Sequence, residues 1–191
     1  MKALATIQDL KARNISVEPQ TLAEALLDAV SASIRDAAGS PISLTESTIT
    51  EIGGPSQWLP VSVYAPRSPV SVSIDGIDVD DYKLVDGRLW RRGGWVVQGE
   101  PSHVTITLEH GLQTVPADIV NMVCMFVAAG IAEAETGFSK PRGRQYISID
   151  DYREGFASGD KEIVDPTELP ERVKNALRNR FAGSVAVTGG Y

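Results

Sequence analysis

Two histidines, one cysteine and several acidic pairs are the side chains whose chemistry could serve catalysis or metal binding. His103 and His110 are seven residues apart in a segment that alternates as a β-strand does. The odd separation points their side chains to opposite faces of the strand, so they do not form a metal-binding pair. Asp80-Asp81 and Asp150-Asp151 lie in turn-like segments, where adjacent carboxylates are commonly just solvated.

The single cysteine, Cys124, lies within a strongly apolar stretch and excludes an internal disulfide. No charged residue adjacent in sequence would lower the pKa of its thiol, which favours a small core residue over a nucleophile. The motifs HExxH, GxSxG, CxxC and GxxxxGKS/T do not occur. We therefore expect no catalytic residue, no cofactor and no metal ion, and keep a small hydrolase as an alternative of another class.

The composition limits both the fold and the partners. The 191-residue chain has a formal net charge of -7, and 42% of its residues are hydrophobic. This is enough apolar material for one domain, or for one domain with an inserted subdomain. The negative charge argues against a broad basic face that would hold nucleic acid through its phosphates. No secretory signal is expected, because the first residues contain no apolar segment before a cleavage site.

A central apolar helix is predicted from Val115 to Glu135. Pro116 suits the first helical position, and Asp118 places a negative charge in the first turn. Almost no polar face remains, so we expect other parts of the molecule to cover this helix on nearly all sides. A membrane span is not expected, because Asn121 and Glu133 interrupt the apolar run.

Three further helices follow from capping signals and from apolar spacings of three and four. They are predicted from Ile7 to about Arg13 with Thr6 as N-cap, from about Pro19 to Ala38 with Gly39 as C-cap, and from Pro170 to about Phe181. The last of these is basic and amphipathic. The second helix has an apolar stripe, which we expect to pack against the central apolar helix. The stripe consists of Leu22, Leu26, Ala29, Val30, Ser33, Ile34 and Ala37.

Between Leu44 and Gly111 the periodicity changes to two, which predicts half-buried antiparallel strands. Asp75-Gly76 and Asp86-Gly87 each separate two strand-like runs, and such pairs adopt the positive φ angles of tight hairpin turns. We predict five to six short strands here. The predicted fold class is therefore α+β, a bundle of about four helices with an inserted antiparallel β subdomain.

The segment WRRGGW, from Trp90 to Trp95, is the most unusual part of the β region. Tryptophan and arginine are favoured interface anchors, so Arg91, Arg92 and Trp95 are predicted to form an exposed contact tip. Trp90 is predicted to pack under its own sheet. After the central helix, residues 137–168 are predicted to form a flexible loop with a short extended segment, and residues 182–191 a flexible C-terminal tail.

The order of these segments resembles the head-tail connector, or head completion adaptor, proteins of long-tailed bacteriophages, and most closely the versions from phages of actinobacteria. The resemblance rests on ATIQDL, a second helix that ends in glycine, SVSIDG, LWRRGG and VTITLEHGLQTVPADIVNMVCMFVAA. It covers Met1 to about Phe181, and its sharpest part is the HG-x-x-x-VPADI joint from His110 to Ile119. The long acidic stretch after Tyr152 departs from the pattern of the family.

The resemblance implies structural work without catalysis. Such proteins form a ring, typically of twelve copies, under the portal protein, extend the DNA channel and provide the platform for a stopper or tail completion protein. Residues 1–43 and 114–181 would form one helical connector core, and residues 44–113 the inserted β subdomain. Double-stranded DNA would pass through the lumen without sequence-specific binding. The expected location is the neck of the virion after assembly in the host cytoplasm, with no membrane involved.

The resemblance and the residue types together suggest two groups of contact residues. The portal-contact candidates lie on the final helix and are Val173, Leu177, Arg178 and Phe181. The candidates for subunit or tail contacts are Arg91, Arg92 and Trp95. Polar replacement of Leu177 and Phe181 is expected to abolish portal binding while the monomer stays folded. The first alternative function is a neck stopper or tail completion protein, and the second is a small hydrolase or a nucleic-acid-binding protein.

Overall fold

The protein combines helices with antiparallel β-sheets, which confirms the predicted α+β class. The structure is a computed structural model that describes residues 1–97, 100–136, 147–149, 152–154 and 168–182. In this part of the chain, four helices are present, as predicted. They are α1 (Ile7–Lys11), α2 (Gln20–Ala38), α3 (Ala117–Thr136) and α4 (Glu171–Phe181).

The ends of the helices follow the capping signals in the sequence. The Thr6 hydroxyl accepts the N–H of Asp9, and the Asp9 carboxylate accepts the N–H of Thr6, so the two residues form a capping box. Helix α2 is followed by Gly39, whose φ of 61° is the left-handed conformation typical of a C-terminal glycine cap. Both caps confirm the predicted positions.

Eight strands lie between residues 45 and 110 within the described residues, so the prediction of five to six is too low. Six of them have at least three residues. The two-residue β4 lies in the run after Asp75-Gly76 that was predicted to be strand-like, whereas the two-residue β7 was not predicted. The strands are β1 (Thr45–Gly53), β2 (Trp58–Pro60), β3 (Pro69–Ile74), β4 (Ile77–Asp78), β5 (Tyr82–Val85), β6 (Arg88–Arg91), β7 (Val96–Val97) and β8 (Glu100–His110).

The predicted loop at residues 137–168 contains two short strands, β9 (Ile147–Ile149) and β10 (Tyr152–Glu154), which pair antiparallel. They correspond to the short extended segment expected there. The rest of this loop lies outside the described residues, except for residue 168. The predicted C-terminal tail lies outside them from residue 183 onward.

The chain divides into two compact units. The helical unit comprises residues 1–34 and 115–174, and the β unit comprises residues 35–114 and 175–191. The domain boundaries expected at residues 43/44 and 113/114 stay a prediction.

Within the helical unit, α2 packs against α3 as predicted. A Cβ added at Gly130 of α3 would lie 2.9 Å from a methyl carbon of Leu26 on α2, so the glycine allows a close approach of the two helices. The predicted stripe of α2 is partly wrong, because Ala29 is exposed and Leu22, Leu26 and Ser33 are only half-buried. The buried positions are Ala23, Leu27, Val30, Ser31, Ile34, Ala37 and Ala38.

Helix α3 is buried along one face and half-buried on the others, and no residue from Ile119 to Ile131 is exposed, so the expected cover on nearly all sides is met only in part. The buried residues recur at spacings of three and four and are Ile119, Val123, Cys124, Phe126, Val127, Gly130 and Ile131. Val120, Met122 and Met125 are half-buried. In the described residues, Ala117–Glu135 is long and apolar enough to cross a membrane, which corrects the length argument made from the sequence. Core helices of soluble proteins have the same length and composition.

The β unit contains two sheets. The larger has the order β1-β8-β3-β4, with β7 also paired to β8, and the smaller has the order β2-β6-β5. Both Asp-Gly pairs form the predicted hairpin turns, with positive φ at Asp75, Gly76, Asp86 and Gly87. The two sheets bury their apolar faces in one shared cluster, which contains Leu59, Val61, Val72, Ile74, Leu89, Trp95, Val104, Ile106 and Leu108.

Trp95 belongs to this cluster and is fully buried, so the expectation that it is exposed is wrong. Its ring Nε1–H donates to the Gln57 carbonyl at 3.1 Å, and its backbone N–H donates to the Gly54 carbonyl at 3.0 Å. The Trp95 carbonyl lies so close to Gly53 that a Cβ at that position would overlap it. The segment that follows β1 is therefore packed directly against the backbone of Trp95.

This packing predicts that alanine lowers stability at one of two adjacent glycines and not at the other. Gly53→Ala should lower the free energy of unfolding by about 2 kcal/mol, because the added methyl group overpacks a rigid backbone contact. Gly54→Ala is the matched control, since nothing lies within 4 Å of the new Cβ. Urea denaturation followed by tryptophan fluorescence measures both. Equal stability of the two variants would contradict the packing described for Gly53.

Candidate functional site

The two predicted groups of contact residues lie at the end of β6 with the segment that follows it, and on helix α4. Arg91, the last residue of β6, is bound within the chain. Its Nε lies 2.6 Å from Oδ1 of Asp81, its Nη1 donates to the Gly94 carbonyl at 2.9 Å, and 19% of its side chain is exposed. The prediction of an exposed contact tip is therefore wrong for Arg91, as it is for Trp95. Arg92 is exposed as predicted, and its role as a contact stays a prediction.

The apolar residues Leu177 and Phe181 of helix α4 pack within the β unit. Leu177 and Phe181 are buried, and the Phe181 ring meets the Tyr64 ring edge to face, with 5.2 Å between ring centroids. The guanidinium of Arg180 lies over the Phe181 ring at 4.9 Å. The expectation that polar replacement of Leu177 and Phe181 leaves the monomer folded is therefore wrong, because both changes would place polar groups in a packed core.

The other two residues of that group have different surroundings. Arg178 is exposed and Val173 is half-buried. Both stay candidates for a contact with a partner. Lys174, on the same helix, lies 2.8 Å from a carboxylate oxygen of Glu171 and 3.9 Å from one of Glu168, so its charge is already paired within the chain.

A shallow cleft of about 360 Å³ lies in the β unit beside the Tyr64 and Phe181 ring pair. Its lining includes one acidic and two basic residues, Asp86, Arg88 and Arg180. Among the described residues, no group of three or more His, Cys, Asp or Glu side chains could hold a metal ion.

The outer side of the smaller sheet carries aromatic and basic residues together. The strand register places Trp58 opposite Trp90, and Trp90 opposite Lys83. Arg88 lies two residues from Trp90 on the same side, and exposed Arg92 lies in the turn directly after the strand. Leu59 and Leu89 occupy the buried side. The prediction that Trp90 packs under its sheet is therefore wrong, and Trp58, Lys83, Arg88, Trp90 and Arg92 form what we call the aromatic-basic face.

The outer side of the larger sheet carries mainly hydroxyl groups and carboxylates, with exposed Ile52 opposite His103 at one end. Register places Thr48 opposite Thr107 and Thr50 opposite Thr105, and Ser71 and Ser73 continue these rows on β3. The hydroxyls of Thr48 and Thr107 are 2.9 Å apart. At the end of the rows, exposed Glu46 and Glu109 lie directly opposite each other. We call this surface, made of Glu46, Thr48, Thr50, Ser71, Ser73, Thr105, Thr107 and Glu109, the hydroxyl-acidic face.

Neither face was identified from the sequence, although part of the signal is present. The alternation of residues in each strand predicts which side chains share a side. The Asp-Gly turns fix the pairing of β3 with β4 and of β5 with β6. The pairing of β1 with β8 and of β2 with β6 joins residues far apart in sequence. No local pattern specifies those registers, so the two faces become visible only in the folded chain.

The two histidines lie on opposite sides of β8, as predicted. His103 is exposed, and its backbone N–H donates to the Asp75 carboxylate at 2.8 Å, a bond that lowers the pKa of Asp75. His110 is buried, with its Nε2 at 3.0 Å from the Ser47 hydroxyl. Its Nδ1 is buried without a hydrogen-bond partner among the described residues. Burial lowers the pKa of His110, because the charged ring would lose its hydration.

Cys124 is buried in helix α3, and burial raises the pKa of its thiol. A raised pKa keeps the thiol protonated at neutral pH, which agrees with the predicted core role and not with a nucleophile. Comparison of the chain with protein-family models gives no match, and comparison with curated protein sequences gives none either.

The buried His110 predicts a loss of stability on acidification. An unfolded histidine binds a proton below about pH 6.5, whereas the lowered pKa of His110 delays protonation in the folded chain. Stability should therefore fall as the pH drops through about 6.5 and level off below the pKa of folded His110. Thermal unfolding between about pH 7 and pH 5 should show a smaller decrease for His110→Gln than for the unmodified protein.

The exposed His103 provides the matched control on the same strand. His103→Gln keeps the backbone bond to Asp75, so the decrease in thermal stability on acidification should equal that of the unmodified protein. If His110→Gln and the unmodified protein lose the same stability over this range, the burial penalty assigned to His110 is wrong.

Proposed function

We propose that this chain is a structural virion protein, a head-to-tail connector that forms a ring under the portal protein and extends the DNA channel. In this proposal its partners are the portal protein, further copies of itself and a stopper or tail completion protein. Double-stranded DNA passes through the lumen without sequence-specific binding. The protein acts in the neck of the virion and carries out no catalysis.

The observation that carries this proposal is the joint HGLQTVPADI between β8 and α3, the sharpest element of the resemblance. Gly111 has a φ of 89°, and a Cβ at this position would lie 2.6 Å from the Ser43 carbonyl oxygen. The N–H of Leu112 donates to the Ile42 carbonyl at 2.8 Å. Glycine is therefore required at position 111, because a side chain there would prevent the chain from passing beside residues 42 and 43.

Charge also supports a passive DNA channel. Binding of duplex DNA through its phosphates requires several closely spaced cations and weakens steeply with salt. The chain has a formal net charge of -7, with 18 basic and 25 acidic residues. A ring built from such subunits carries a net negative charge and does not hold the negatively charged DNA backbone, which suits a channel through which DNA must move.

The decisive experiment is native mass spectrometry of the protein alone and mixed with the portal protein of the same genome. The proposal predicts one large complex that contains a fixed multiple of this subunit together with the portal ring. A complex with a tail protein but not with the portal protein would favour a neck stopper or tail completion protein. Persistent monomer in both samples would contradict the proposed ring.

The exposed end of α4 provides a test of the portal contact that avoids the core. Arg178→Glu should weaken portal binding by about tenfold, because it places a carboxylate where the proposed acidic partner lies. Lys11→Glu on helix α1 is the matched control, since it makes the same charge change at another exposed position. Surface plasmon resonance on immobilised portal rings measures both. Equal affinity of the two variants would remove Arg178 from the contact.

A further inference from the structure

We propose that neighbouring copies bind each other head to tail through the β unit, with the aromatic-basic face of one copy on the hydroxyl-acidic face of the next. This inference rests on the proposed ring and names the surfaces that would close it. It assigns the second copy of this chain as the occupant of both faces.

The aromatic-basic face has the composition of an interface core. Trp58 leaves 44% of its surface exposed, and Trp90 beside it is half-buried. Exposed tryptophans next to arginine are the residues that most often dominate binding energy at protein interfaces. Lys83, Arg88 and Arg92 are exposed around the two rings, and Asp86 in the adjoining turn offsets at most one of these charges. The face therefore suits an acidic partner surface.

The hydroxyl-acidic face presents an unfavourable pair of charges. Glu46 and Glu109 lie directly opposite each other across β1 and β8, where like charges repel. Among the described residues neither carboxylate has an ion-pair partner. Nearby Arg67 donates its backbone N–H to the Glu109 carbonyl at 2.8 Å but makes no ion pair with this carboxylate. A cationic partner from outside the chain would relieve the repulsion.

The two faces lie on opposite sides of the β unit. Each sheet buries its apolar side in the shared cluster, so the outer sides point away from each other. An interface between unlike faces is heterologous, and repetition of it produces a ring when the rotation closes. Association of two copies through identical faces is disfavoured, because it would bring lysine against arginine or glutamate against glutamate. Charge complementarity therefore selects the head-to-tail arrangement.

Charge reversal on one face at a time tests this arrangement. Lys83→Glu with Arg88→Glu makes both faces acidic, and Glu46→Lys with Glu109→Lys makes both faces basic. All four residues are exposed, so each variant should fold, which circular dichroism verifies. Native mass spectrometry with the portal protein should show at least about a tenfold loss of assembled rings for either variant alone.

An equimolar mixture of the two reversed variants should recover rings in which the variants alternate one to one. The variant with all four substitutions should also assemble, because each of its faces again meets the opposite charge. Assembly of either reversed variant at the level of the unmodified protein would overturn the inference and leave the proposed function intact. Failure of the mixture to recover rings would overturn it too. Persistent monomer of the unmodified protein, with and without portal, would overturn both proposals.

Zero-length cross-linking of the unmodified protein provides a test that does not depend on variants. A carbodiimide joins an amine to a carboxylate in direct contact, and rings assembled from mixed ¹⁴N and ¹⁵N copies identify links between copies. The expected product joins Lys83 of one copy to Glu46 or Glu109 of another. Rings in which Lys83 is linked only to other carboxylates would overturn the inference.

Discussion

The hydrogen bond from the Trp95 indole to the Gln57 carbonyl is the interaction on which the β unit depends. A buried indole N–H without an acceptor would cost about 1–3 kcal/mol. The Gln57 carbonyl also accepts the N–H of Arg91 at 2.9 Å, and the Gly54 carbonyl accepts the N–H of Trp95. These bonds fix the link between β1 and β2 against the turn after β6. They hold the ends of strands from both sheets in place, and with them the registers that determine the outward side chains.

Features set by neighbouring residues could be predicted from the sequence. The Thr6 cap, Gly39 and the Asp-Gly turn at Asp86 depend on conformations that only a few residue types adopt. The burial of Trp95 and Leu177 could not be predicted in this way. Trp95 contacts Gly53 and Gln57, which are distant in the chain, and an apolar residue in a strand or helix has the same local pattern whether its partner lies in the chain or in another protein.

The burial of helix α3 is a second feature that the local sequence does not determine. Its composition correctly predicted a helix, but apolar residues on every side do not specify how many sides this chain covers. The chain buries the side that contains Ile119, Val123 and Phe126 and leaves Met122 half-buried on another. A subunit of an assembly has no need to cover all of its apolar surface by itself, so this composition agrees with the proposed ring as well as with a core helix.

The candidate contact surface illustrates why net charge describes a whole chain and not its faces. A value of -7 predicts the absence of a broad basic surface, yet three cations gather around two tryptophans on one small sheet. Proteins that hold DNA through its backbone commonly make about 6–10 phosphate contacts, and three cations supply too few. The two exposed carboxylates on the opposite side of the same unit are much closer in number to these three cations. The balance of charge on the two faces therefore agrees with the proposed contact between copies, and it depends on residues that only the folded registers bring together.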